Sequence, residues 1–125
     1  MPRLFFDGRD FLLRIWRATL NSWSGLKAAA SSEAAFREEI IALVLAVPLA
    51  FLFTPLAWKR LTLIGVILLL MVVELLNTAI EKLSDHVTAT QHPDIGRIKD
   101  MASAAVGIAL AIAEWLGLLA WLGQL

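Results

Sequence analysis

The sequence predicts an all-α membrane protein: an amphipathic helix lying on the bilayer surface, followed by three transmembrane helices. Three observations carry that expectation. Of the 125 residues, 59% are hydrophobic, well above the roughly 45–50% of soluble domains, and the mean hydropathy is +0.75. The excess is concentrated in three blocks, residues 40–58, 61–73 and 101–122. These blocks are apolar nearly all round, whereas a soluble bundle needs a polar outer face on each helix.

One domain fits this length, and the whole chain, residues 1–125, reads as a single integral-membrane unit. The first and third blocks approach the ~20 residues needed to cross ~30 Å of hydrocarbon. The second is interrupted by Glu74, so it must continue through Asn77 and Ile80 to span. The expected spans are about 34–57, 61–85 and 98–122. Pro55 is a plausible stop for the first, and Pro48 is expected to kink it. The segment 85–98 holds Pro93, Asp94 and Gly96 and reads as a turn between the second and third spans.

The surface helix is expected over about residues 10–24, where Leu13, Trp16, Leu20 and Trp23 recur at helical spacing. Asp10, Arg14, Arg17, Asn21 and Ser24 make the opposite stripe. Such a helix suits the headgroup plane. It serves either as a simple anchor or, through the guanidinium groups of Arg14 and Arg17, also as a phosphate contact.

The charges are sorted although their sum is zero. Arg3, Arg9, Arg14, Arg17, Lys27 and Arg37 precede the first span, and Lys82, Arg97 and Lys99 lie between the second and third. Only Lys59 and Arg60 occupy the first hairpin. The positive-inside rule then puts the N-terminus and second loop in the cytoplasm. Trp58 and Trp121 fall at the outer interface, Trp16 and Trp23 at the inner one. The first residues lack the apolar run and cleavage site of a signal peptide and are expected to remain in the mature chain. The absence of cysteine excludes disulfide and thiolate chemistry.

The chemistry is expected around Glu74. An acid inside a span costs about 2.5–3.5 kcal/mol on insertion scales, so it should face protein or water. Asn77 and Glu81 follow on the same helical face, with Glu81 roughly 10 Å nearer the cytoplasm. One face thus carries carboxylates at two depths, a layout suited to joining a water-soluble donor to a lipid headgroup. A polar clasp between neighbouring helices explains the same stripe equally well. Glu33 pairs with Arg37 at helical spacing; it is either a solvated helix-start acid or, with Glu81, a ligand for Mg²⁺. Lys99 and Asp100 open the third span, with Ser103 one turn on. They are either ordinary interfacial polarity or a nucleotide contact. Ser103, Gly107 and Ala111 recur every four residues, a spacing that lets helices approach closely. Glu114 is a second intramembrane acid, without an assigned role. His86 and His92 lack metal-ligand spacing. No P-loop and no protein-kinase signature is present.

Taken together, these segments resemble the prokaryotic diacylglycerol kinase family. The likeness rests on E-A-A-F-R at 33–37, E-L-L-N-T-A-I-E at 74–81, Asp85, and G-R-I-K-D-M-A-S-A-A at 96–105, with Ser22, Trp23, Gly25 and Leu26 also fitting. It covers roughly residues 14–110. The resemblance implies a Mg²⁺-dependent transfer of phosphate from ATP to diacylglycerol in the bacterial cytoplasmic membrane. It also implies a homotrimeric helix bundle with sites shared between subunits. By position, Glu74 corresponds to the general base, and Glu33 and Glu81 to metal ligands. Arg14, Lys99 and Asp100 correspond to nucleotide contacts, and Thr90, Gln91 and His92 occupy a nucleotide-adjacent stretch. Arg14, Ser22, Trp23, Asn77 and Ser103 correspond to the lipid side. Asn21 and the 90–92 loop depart from the family pattern. Undecaprenol is the alternative lipid within the family, and a small transporter or channel subunit is the non-enzymatic alternative. No nucleic-acid partner is expected.

Overall fold

A computed structural model describes residues 7–88 and 90–123 and contains, among them, four α-helices and no strand. Arg3, one of the charges that orients the chain, lies outside the described residues. The chain divides into two units at Ser32.

The first unit is α1, Gly8–Ser32. Asp7 caps it, its Oδ1 accepting the Arg9 backbone N–H at 3.0 Å. The helix outruns the amphipathic stretch at both ends. Beyond Gly25 the run Leu26–Ala30 is made of strong helix formers, so nothing breaks it before Glu33. At its far end the Ser31 and Ser32 hydroxyls both donate back to the Ala28 carbonyl at 2.9 Å. Leu13, Trp16, Leu20 and Trp23 are all exposed, which leaves the apolar stripe uncovered within this unit.

The second unit is an antiparallel arrangement of α2 (Ala34–Phe53), α3 (Ala57–Val87) and α4 (Pro93–Trp121), with α3 packed against both of the others. Glu33 is extended and separates α1 from α2. On α2, Phe36 and Ala50 are buried and Leu43 and Ala46 half-buried, a face at three- and four-residue spacing. Helix α2 runs unbroken through Pro48 and ends at Thr54. Pro55 follows, and Arg60 Nε donates to the Thr54 carbonyl at 2.9 Å, fastening the short hairpin to α3. Helix α4 begins with Pro93 in its first turn, where the missing N–H costs nothing. His92 caps it, Nδ1 accepting the Asp94 N–H at 3.1 Å.

Helices α3 and α4 are long and apolar enough to cross a membrane. Helix α2 holds Arg37, Glu38 and Glu39 in its first two turns, which leaves residues 40–53 as its apolar part. Large apolar side chains point outward on every helix of this unit, among them Leu52 at 84% and Leu61 at 72% exposure. A face of that extent needs lipid or further protein against it.

Candidate active site

The site is assembled on α3, whose periodicity places Glu74, Asn77 and Glu81 on one face, all three half-buried. Asn77 Nδ2 donates to Glu81 Oε1 at 3.3 Å, tying the lower two members together. The remaining Asn77 oxygen is buried and has no protein partner. A buried amide oxygen left this way calls for a donor from outside the chain, such as water or a hydroxyl.

Glu39 of α2 stands within electrostatic reach of Glu74, and its Oε2 is likewise buried without a protein partner. Glu74 also feels Glu81 and Glu33. Glu74 is therefore within electrostatic reach of three other carboxylates, Glu33, Glu39 and Glu81. Glu39 is the member that sequence reasoning missed, because it lies in a charged run that reads as a solvated helix start. The signal was present, since Glu39 occupies the 36–39–43–46–50 spacing of the face that packs inward.

Among the described residues, no three acidic or histidine side chains close on one point to make a protein-only metal cage. Glu33 and Glu81, each within electrostatic reach of Glu74, are both hard oxygen donors. That donor set fits Mg²⁺, which binds through one or two carboxylates and completes its shell with phosphate and water. The two histidines have other engagements. His86 Nδ1 lies 3.1 Å from the Lys82 carbonyl, and His92 caps α4.

A separate cavity of about 540 Å³ lies at the α3–α4 turn, lined by Asp85, Thr88, Thr90, Gln91, His92 and Lys99 among others. It gathers the whole 90–92 stretch and Lys99. The Lys99 ammonium, at the start of α4, pairs with the Asp85 carboxylate near the end of α3. Asp100 and Ser103 are exposed on α4 and do not line this cavity. In the α1 unit Arg14, Ser22 and Trp23 are exposed, and the Lys27 ammonium sits 5.9 Å above the Trp23 ring.

Comparison with known proteins identifies the family. The family model for prokaryotic diacylglycerol kinase matches residues 20–121. The diacylglycerol kinase of Escherichia coli K12 is 47% identical over 100 residues, covering 80% of this chain and 82% of the relative. That of Pseudomonas aeruginosa is 43% identical over 107 residues, covering 86% and 87%. The Haemophilus influenzae protein of the same name is 37% identical over 110 residues, covering 86% and 93%. With half-buried Glu74, Asn77 and Glu81 on one helix and a polar cavity beside Lys99, this chain belongs to the prokaryotic diacylglycerol kinase family.

Proposed function

We propose that this chain transfers the terminal phosphoryl group of ATP to the free hydroxyl of diacylglycerol, giving phosphatidic acid and ADP. The observation that carries the reading is Glu74: a half-buried acid in a membrane-length helix, facing a second acid on α2 and aligned with Asn77 and Glu81. Diacylglycerol is favoured over a polyprenol because the relatives at 37–47% identity are all named for it.

In this reading Glu74 accepts the proton of the lipid hydroxyl as the oxygen attacks the phosphorus. Glu39 borders that hydroxyl from α2, and the buried Asn77 oxygen accepts from a water beside it. In the second unit Lys99, Asp100 and the Thr90–Gln91–His92 loop contact the nucleotide and Ser103 the headgroup; in the α1 unit Arg14 is a phosphate contact and Ser22 and Trp23 are lipid contacts. Mg²⁺, held by Glu33 and Glu81, supplies neutralisation of phosphate charge when bound. Lys99 adds a cation at the neighbouring cavity, and Asn77 keeps Glu81 in place through its hydrogen bond. Helix α2 is the third span, the N-terminus faces the cytoplasm, and three copies form the working assembly.

The test is transfer of labelled phosphate from Mg·ATP to diacylglycerol, and to undecaprenol, by purified protein in mixed micelles. Diacylglycerol is expected to be labelled; no product from either lipid sinks the reading. Glu74→Gln is expected to reduce turnover by at least about 10²-fold, the usual worth of a positioned base. ATP binding should survive, as followed by equilibrium titration.

A further inference from the structure

The Asp85–Lys99 pair joins residues fourteen positions apart, at the end of α3 and the start of α4. Both side chains line the turn cavity. Among its lining residues Lys99 is the one lysine or arginine and Asp85 the one carboxylate. Three other ionisable groups nearby have partners of their own. His92 is engaged as a cap, and Asp94 accepts from Arg97 at 3.3 Å in a separate exposed pair.

The pair is too open to water for its attraction to hold the helices together, with the Asp85 side chain 66% exposed and that of Lys99 38%. Ion pairs of this exposure contribute little to stability. Their geometry is another matter. A lysine ammonium rides on a flexible four-carbon stem and carries three donors. One hydrogen bond to Asp85 removes most of that freedom and leaves two donors directed elsewhere.

We infer that Asp85 is a positioning residue for the reaction: it holds the Lys99 ammonium on the cavity wall with two N–H donors open to nucleotide phosphate oxygens. This rests on the kinase reading above. In this role Asp85 acts through Lys99 and not on the reacting groups themselves. The net charge of the pair is zero, so Asp85 gives up some attraction for phosphate in exchange for a fixed donor. The balance favours fixation because misplacing a reacting group by about 1 Å costs up to about 10²-fold in rate.

The full chain is assayed in mixed micelles with Mg·ATP and diacylglycerol, as wild type, Asp85→Ala and Asp85→Glu. The fraction folded is read by thermal melting in the same detergent. For Asp85→Ala the expected result is a fall in kcat on the order of 10²-fold per folded molecule, with the melting temperature unchanged. Asp85→Glu, which restores an acceptor, recovers part of the loss. Wild-type kcat in Asp85→Ala overturns the inference, as does a loss that tracks unfolding and vanishes per folded molecule. A fall in the KM for ATP with undiminished kcat also overturns it, since Asp85 would then be a competitor of phosphate. Absence of transfer by the wild-type chain strikes the kinase reading instead, so the two failures are told apart.

Discussion

At the scale of single residues, the feature that most changes the chemistry is Glu39. An acid on the inward face of α2 within reach of Glu74 is not neutral in effect: it repels the Glu74 carboxylate when both are charged and, in the proposed reaction, can donate to the lipid hydroxyl when protonated. Glu39→Gln keeps the shape and one acceptor and removes the charge. It is expected to lower kcat for lipid phosphorylation about tenfold while leaving the KM for Mg·ATP within about twofold, one hydrogen bond being worth about 1 kcal/mol. Steady-state kinetics with each substrate varied in turn checks this. An effect confined to the ATP KM would move Glu39 to the nucleotide side. Glu74, Asn77, Glu81 and Glu33 were legible from sequence because spacing along one helix, or a family motif, marks them. Glu39 was not, because its significance lies in what stands across from it.

At the scale of elements, α2 is the most demanding piece. It must seat Phe36, 2% exposed, and carry Glu39 to the site from the same face. Phe36→Ala empties that seat. Truncating a buried phenylalanine costs about 3–5 kcal/mol in water-soluble cores. In a bilayer the loss is mainly of packing contacts, since lipid chains are as apolar as the side chain. A destabilisation at the lower end, about 3 kcal/mol, is expected from unfolding in detergent, with activity falling as Glu39 loses its register. The start of α4 offers a milder case. His92→Ala removes the cap on the Asp94 N–H, and a cap is worth about 1 kcal/mol. Amide exchange at Asp94 and Ile95 is expected to quicken while the rest of α4 is unaffected.

At the scale of the whole molecule, the number of helices that cross the bilayer follows from their length and charge. Helices α3 and α4 pass on length and composition, and α2 falls short because three charges occupy its first two turns. The three-span reading makes a prediction that this cysteine-free chain is well suited to test. Single cysteines placed as Ser31→Cys and His86→Cys should be labelled by an impermeant thiol reagent from one side, and Lys59→Cys from the other. Labelling of Ser31→Cys and Lys59→Cys from the same side means that α2 does not span. The outward-facing apolar residues of α2–α4 belong to this scale as well. Their number per chain is what a lipid environment, or packing of copies within it, requires.

What the sequence by itself determined is what repeats along one helix: the four helical elements, the amphipathic stripe of α1 and the Glu74–Asn77–Glu81 face; hydropathy led to an expectation of three spans, of which α3 and α4 have membrane length in the structure. Hydropathy and a 3.6-residue period are local properties, and no partner is needed to read them. Only the tertiary structure decided that Glu39 opposes Glu74, that the 90–92 turn and Lys99 enclose one cavity, and that Lys99 is held by Asp85. Those facts depend on the register between antiparallel helices. Register is set by side-chain packing across an interface, and no period within either helix contains it.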